Sequence, residues 1–444
     1  ASYYLFRLMK SMLLPPFLLL HHQADCGRIT KFLSSSSRRL RRGSSLIPGN
    51  ANRRLKFILV SSAASVSIPD PHSESHRDPI PVSESKRKQV KIAGVIQDEL
   101  LDPENLAEPE SRFCDFQGVK IHHQLFEPPA SSSIKHSSPM ILLHGFGASV
   151  FSWKSAMNPL SQLANSSILA FDRPAFGLTS RVDSRAHISG NPSRINPYSM
   201  AFSVLLTLHF IDSLTSGKAI LIGHSAGCLV AVNTYFKAPH RIAALILVAP
   251  AIVAPGKAPN QTSTPQANIF FKFFASIAKI TLMILKTALD YANFVSKKAI
   301  SYILNSSFFV FLIRMAIDKF GVAAVKNSWY DGSKISNEVI NGYLKPLKVK
   351  GWDKGLSEFV SATVCVAESG NGSSFATRIR GISCPVLIIT GDNDRLVPAW
   401  NAKKLSEAIP GCSFEVIRQC GHLPHEEKVD QFVSAVSTFL QRRL

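Results

Sequence analysis

The chain has 444 residues, 45% of them hydrophobic, which is room for one large domain with an insertion or for two or three smaller ones. Its formal net charge of +20 is concentrated: residues 1–69 carry +10, residues 251–376 carry +7 and all the rest only +3, which excludes a basic nucleic-acid groove spread over the fold. Seven cysteines, an odd number with no C-x-x-C pair and no His/Cys cluster at zinc spacing, argue against a disulfide scaffold and for a reducing compartment.

Residues 1–69 are rich in Ser and Arg and nearly free of acid, with Asp25 the single exception. This is the composition of an organelle transit peptide, and it resembles chloroplast targeting segments. The expected location is therefore the plastid. Secretion is the alternative, with residues 12–20 as a signal core, but Pro15 and Pro16 interrupt that core and the long Ser/Arg tract follows it. Residues 70–112 are polar, contain Pro71, Pro79 and Pro81, and read as a linker.

From Phe113 the texture changes. Residues 118–125 alternate as a short strand, and residues 139–143, 168–171, 219–222, 244–248 and 386–390 are apolar runs of strand length. Each apolar run is followed by helix or turn residues, and residues 198–214 have helical periodicity. Strands and helices alternating at this spacing predict a doubly wound, mostly parallel sheet with helices on both faces, whose ligands bind at the carboxyl ends of the strands. Between residues 251 and 376 the alternation stops. This stretch reads as mainly helical and is too long for a loop, so it predicts an inserted helical domain between core segments 113–250 and 377–444.

The stretch Gly223-His224-Ser225-Ala226-Gly227 follows the apolar run 219–222 and precedes a helix-compatible run. Strand, sharp turn and helix with a serine at the apex suit a nucleophile, and the amide after it lies at a helix N-terminus. Such a serine needs a base, a group that orients the base, and oxyanion donors. His422 is the candidate base, after a predicted strand at 414–417 and before the last helix from about residue 428; His425 lacks the preceding glycine. Asp394 is the candidate orienter, just past the strand 386–390. Asp392 competes, but it sits in the turn itself, where aspartate commonly bonds the backbone. The Ala226 amide and an amide of His144-Gly145-Phe146-Gly147, that of Phe146, are the candidate oxyanion donors. His144 reads as a brace for that loop, and Cys420, two residues from His422, as a small buried hydrophobe.

Together, Leu143-His144-Gly145-Phe146-Gly147, Asp172-Arg173-Pro174, Gly223-His224-Ser225-Ala226-Gly227, Gly391-Asp392-Asn393-Asp394 and Gly421-His422 resemble the α/β-hydrolase fold superfamily, in that family's order of Ser, Asp, His. The likeness covers about residues 113–250 and 377–444, and plastid members with a long cap are the most similar. Some members carry the acid after the strand that here ends near Val248; this chain reads Ala249-Pro250-Ala251 there, which favours Asp394. A serine at the apex excludes the aspartate-nucleophile members, epoxide hydrolases and haloalkane dehalogenases. The resemblance implies a serine hydrolase acting on an ester, thioester, lipid, amide or C–C bond beside a ketone, with no metal or organic cofactor.

The insertion sits where the family places its cap. Its apolar residues are expected to form the cap's own core. The competing reading is a peripheral membrane contact, for which Lys272, Lys279 and Lys286 provide a stripe at seven-residue spacing and residues 268–319 a wide apolar face. The longest uncharged run inside the insertion, 299–313, is too short to span a bilayer. The expected partner is a hydrophobic small molecule or a lipid substrate, not nucleic acid. A different class, a non-hydrolytic small-molecule receptor or membrane-associated interaction protein on the same fold, remains the alternative.

Overall fold

The structure is a computed structural model, and it describes residues 89–128, 138–255, 302–366 and 375–444. Residues 1–69, expected to be a transit peptide, residues 70–88 of the expected linker, and the Lys272, Lys279 and Lys286 stripe lie outside the described residues.

Eight strands form one sheet: β1 (Arg112–Phe116), β2 (Val119–Phe126), β3 (Met140–Leu143), β4 (Ile168–Phe171), β5 (Ala219–His224), β6 (Ile242–Val248), β7 (Val386–Gly391) and β8 (Ser413–Ile417). Their spatial order is β8-β7-β6-β5-β3-β4-β2-β1. The six strands from β3 to β8 are parallel, and β2 runs antiparallel to both β1 and β4.

Strands β3 to β7 are near-continuous apolar runs because both of their faces are covered, whereas the edge strand β8 leaves Glu415 and Val416 exposed. Alternation splits each run between two cores. Ile141, Leu143, Leu169, Phe171, Leu221 and Leu245 face one side. There they meet Phe202 and Leu206 of α3 (Met200–Leu214), Val230 of α4 (Gly227–Lys237) and Leu405 of α9 (Ala399–Ala408). Met140, Leu142, Ile168, Ile220, Ile222 and Ile246 face the other side. They meet Met157 and Leu160 of α1 (Lys154–Ala164), and Phe432 and Val436 of α11 (Val429–Arg443). Strand β3 lies between β4 and β5. The helix after β3 covers one face and the helix after β5 covers the other, so the loops leaving these neighbouring strands diverge. This is the switch point at which such sheets hold ligands.

The described part of the insertion is helical: α5 (Ser307–Ser328), α6 (Asn337–Leu344) and α7 (Trp352–Val366). It has a core of its own, with Phe309, Ile313, Leu347, Trp352 and Val360 buried together. The aromatic rings of Phe308 and Phe311 on α5 stay outside it, 64% and 57% exposed. Among the described residues no helix is long and apolar enough to cross a membrane.

One expectation is corrected. Residues 89–112 are not linker throughout. The antiparallel ribbon of Lys91–Ile92 and Val95–Ile96 buries Ile92 and Val95 in the cap's core. Trp352 Nε1 donates to Gln97 Oε1 at 3.0 Å, and Leu101 and Lys350 are tied by backbone bonds Leu101 N to Lys348 O and Lys350 N to Leu101 O. The short apolar pairs around Ala93-Gly94 are too brief to set a period, so only the long-range partners reveal that this segment is structured.

Candidate active site

Strand β5 carries Ser225 to the carboxyl edge of the sheet, directly at the switch point. Ser225 has φ of +49°, the left-handed region that a residue with a side chain adopts only when its surroundings hold it there. They do so here through the backbone: Ser225 N donates to Val248 O at 2.9 Å, and Ser225 O accepts from Cys228 N at 3.1 Å and Ala251 N at 3.2 Å. Helix α4 then begins at Gly227, where a Cβ would lie 2.1 Å from Leu143 O, so only glycine lets the helix start this close to β3. The Ala226 amide sits at that helix N-terminus, where N–H groups lack intrahelical acceptors and the dipole favours negative charge.

The loop after β3 closes on the same point. A Cβ on Gly145 would lie 3.2 Å from Ser225 Cβ and 2.9 Å from His224 Nδ1, so the glycine permits the approach of this loop to the serine. Its next amide is that of Phe146. Among the described residues no protein acceptor takes the N–H of Phe146 or of Ala226. His144 anchors the loop from beneath: its Nε2 accepts from Arg173 N at 3.0 Å and its Nδ1 donates to Gly145 O at 2.7 Å. Burial pushes His144 down to about 4, so it stays neutral.

Asp394 stands on the loop after β7, and His422 on the loop after β8. The structure brings them together: His422 Nδ1 donates to Asp394 Oδ2 at 2.7 Å, with both side chains buried. Asp394 Oδ1 accepts from Leu396 N and Val397 N, each at 2.8 Å, which fixes the carboxylate. An aspartate held this way accepts, so Nδ1 carries the ring proton and Nε2 is left with its lone pair. Asp392 does not reach His422. It is exposed, and its Oδ1 accepts from Asn393 Nδ2 at 2.7 Å and Cys420 N at 3.2 Å, a turn-bracing role.

Three further residues contribute in roles that were not read from the sequence. His224, next to Ser225, donates from Nε2 to the His422 carbonyl at 3.0 Å, joining the serine turn to the histidine loop. Burial, followed by the neighbouring His425 and His422, holds His224 well below the usual imidazole value, so it is a neutral brace. His425 is likewise wholly buried, lies 4.2 Å ring to ring from Trp153, and is pushed down to about 3 by burial and then by His422. Arg173 is buried too. Its Nε donates to Ser203 Oγ at 3.2 Å, its guanidinium lies 5.2 Å from the Phe359 ring centre, and burial brings it down to about 10, still a cation at neutral pH. The signals available were the place of His224 inside the serine motif and of Arg173 inside Asp172-Arg173-Pro174; His425 stood out only by its nearness to His422.

Above the Phe146 loop the site is aromatic. Phe146, Phe176 and Phe359 of α7 pack with ring centres 4.8–6.0 Å apart. Cys420 is buried, and burial raises its thiol above the usual range, so it is not a thiolate. Among the described residues no group of three or more His, Cys, Asp and Glu side chains is placed to hold a metal ion.

A serine in a strained turn, a buried His–Asp pair joined to that turn through His224, and two free amides form an arrangement suited to generating a nucleophile and stabilising an oxyanion. Known proteins agree with the architecture. An uncharacterized hydrolase of Bacillus subtilis, YugF, is 21% identical over 75% of this chain and 98% of its own length. A 2-hydroxy-6-oxononadienedioate/2-hydroxy-6-oxononatrienedioate hydrolase of Burkholderia vietnamiensis is 23% identical over 68% of this chain and 87% of its own. A solved structure from Acinetobacter baumannii, described as a candidate lipase, superposes with a TM-score of 0.50 at 16% identity, covering 77% of this chain and 93% of that one. The family sequence model named alpha/beta hydrolase family matches residues 140–435, more than half of the chain, and the protein belongs to that family.

Proposed function

We propose that this hydrolase uses Ser225, His422 and Asp394 as a catalytic triad on a carbonyl substrate with a hydrophobic acyl or ring portion. The observation that carries the reading is the 2.7 Å bond between His422 Nδ1 and Asp394 Oδ2 beside a serine at φ +49°. His422 Nε2 takes the proton of Ser225 Oγ as the oxygen attacks the carbonyl carbon. The Ala226 and Phe146 amides receive the developing oxyanion. Collapse of the tetrahedral adduct breaks the bond to the leaving group, which takes its proton from His422. Water then gives its proton to His422 and attacks the acyl carbon. Ser225 leaves reprotonated, and a carboxylic acid is released.

The aromatic cluster of Phe146, Phe176 and Phe359 supports an apolar substrate. A carboxylic ester, thioester or lipid acyl bond is the first reading. Cleavage of a C–C bond beside a ketone is the second, favoured by the similarity to the 2-hydroxy-6-oxononadienedioate/2-hydroxy-6-oxononatrienedioate hydrolase. A fluorophosphonate probe forms an adduct only with an activated serine. The wild-type protein should be labelled, and Ser225→Ala should lose labelling and p-nitrophenyl ester turnover while keeping the circular dichroism of the parent. Labelling that persists in Ser225→Ala overturns the triad, and a wild type that is never labelled favours the receptor reading.

A further inference from the structure

Besides Phe359, the cap meets the candidate site at a corner beside the His–Asp pair. Helix α5 ends at Ser328, and the chain turns there through Trp329 and Tyr330. The Ser328 carbonyl accepts from the His422 backbone N–H at 2.7 Å. Gly421 packs so closely beneath this corner that a Cβ would lie 2.5 Å from Ser328 O and 2.7 Å from Tyr330 N. On the acid's side, Arg395, the neighbour of Asp394, donates from Nη2 to Tyr330 O at 3.3 Å. One corner of the cap therefore reaches both loops that carry the His–Asp pair.

A single carboxylate closes the arrangement. Glu427 belongs to the short helix α10 (Pro424–Glu427). Its Oε1 accepts from Gly421 N at 3.0 Å and Leu423 N at 3.3 Å, the amides on either side of His422. Its Oε2 accepts from Gly421 N at 3.1 Å and from Tyr330 N of the cap at 2.7 Å. The neighbouring Glu426 adds a second link, accepting from the Tyr343 hydroxyl of α6 at 2.5 Å. A carboxylate that only capped α10 would need the Leu423 amide alone. This one gathers three amides from two chain segments, with His422 at their centre.

We propose that Glu427 is a positioning residue: with the corner formed by Ser328 and Tyr330 it holds the His422 backbone in register with Asp394, so that alignment of the base depends on the cap being docked. This rests on the Ser225, His422 and Asp394 reading above. Glu427 touches no reacting atom. It acts through His422, whose ring must keep Nδ1 on Asp394 and Nε2 toward the serine, and small displacements of such a group are costly.

The test uses the full chain, a fluorophosphonate probe and p-nitrophenyl butyrate, with rates followed from about pH 5 to about pH 9, across the titration of an imidazole. Glu427→Ala should slow serine acylation by about tenfold to a hundredfold per folded molecule. Its ascending pH limb should move to lower pH, because a histidine that drifts from its carboxylate loses the group that favours its charged form. Glu427→Gln keeps the volume and is the deciding variant where Glu427→Ala does not fold. An amide presents one acceptor oxygen where the carboxylate presents two, so it keeps either Gly421 N with Tyr330 N or Gly421 N with Leu423 N, and turns N–H donors toward the amide it loses; an intermediate rate and an intermediate limb are expected. Tyr235→Phe is the structural control. It removes the bond to Ser383 Oγ at 2.9 Å, away from the site, and should leave the limb in place. Wild-type rates and limb in Glu427→Gln, or a loss that follows only the folded fraction with the limb unmoved, overturns the proposal. Labelling that survives in Ser225→Ala instead brings down the triad on which it rests, so the two failures are distinct.

Discussion

Two buried His–Asp pairs in this molecule share the same bond and differ in what surrounds them. His422 Nδ1 lies 2.7 Å from Asp394 Oδ2, and His122 Nδ1 lies 2.7 Å from Asp172 Oδ2. The second pair even extends to a serine, because His122 Nε2 is 2.9 Å from Ser111 Oγ. By composition that is also Ser, His and Asp. The difference lies in what surrounds them. Asp172 accepts from Val150 N and Leu178 N, each at 2.7 Å, so its oxygens tie β2, the loop after β3 and the loop after β4 together. Ser111 precedes β1, the outermost antiparallel strand, and its Oγ accepts from Glu108 N at 3.0 Å. Ser225 instead ends a central parallel strand in a left-handed conformation, beside two amides with no protein acceptor. A His–Asp contact is therefore not diagnostic of catalysis. The open donors and the strained serine make the difference, since they are costly in a structure that does not use them.

The comparison can be broken at either pair. The largest effect is expected at Asp394→Asn. An amide there donates where the carboxylate accepted and stabilises the wrong imidazole tautomer, so kcat on a p-nitrophenyl ester should fall about 10⁴-fold. Asp392→Asn, which changes an exposed turn, should stay close to wild type. A larger loss in Asp392→Asn than in Asp394→Asn would falsify the choice of acid.

At the other pair the expected readout is stability. Burial pushes the Asp172 carboxyl up, but the His122 imidazole opposite it, their hydrogen bond and the Leu178 amide outweigh that and bring it from 3.8 down to about 2. A carboxylate depressed on folding contributes stability above its unfolded value and loses it as pH falls through the folded value. The wild type should thus lose about 2 kcal/mol between pH 3.8 and pH 2 from this group alone. Asp172→Asn should be less stable at neutral pH and lack that acid-dependent portion when urea unfolding is compared across the window. Its ester turnover per folded molecule should remain, because Asp172 belongs to the scaffold. Loss of turnover without loss of stability would place Asp172 in the chemistry and erase the distinction.

The sequence showed one of these regions far better than the other, for a physical reason. Strands such as Ile168–Phe171 and Val386–Gly391 are buried on both faces, so they appear as unbroken apolar runs, and residues after such runs, including Ser225 and Asp394, stand at strand ends that the runs mark; His422 follows the half-exposed edge strand Ser413–Ile417. Asp172 also stands at such a strand end, after Ile168–Phe171, but its pairing with His122 leaves no mark. It exists because β2 pairs with β4 in a register that sets His123 against Phe171, and a non-local antiparallel pairing is not written in the periodicity of either strand. The same holds for Ile92 and Val95, whose burial depends on cap helices more than two hundred residues away. Glu427 carried a faint local sign, an acid shortly after Pro424 at the start of a helix, but its bond to Tyr330 is tertiary.

The smallest effect is also the one that separates the two serines most directly. Ser111→Ala removes the hydroxyl that receives the Glu108 amide and meets His122 Nε2. Ser111 is only half-buried, and a cavity of about 30 Å³ lined by Ser111, His122 and Asp172 has room for a water. That water can take over both hydrogen bonds, so the loss should be about 1 kcal/mol or less in urea unfolding. Fluorophosphonate labelling of the variant should match the wild type, with the adduct found by peptide mass spectrometry on Ser225 alone. Ser111 has its histidine at hydrogen-bond distance, yet it has no strained turn and no pair of free amides to receive an oxyanion. An adduct on Ser111 would mean that the His–Asp relay by itself activates a serine here, and the amides around Ser225 would then lose their place as what sets the two regions apart.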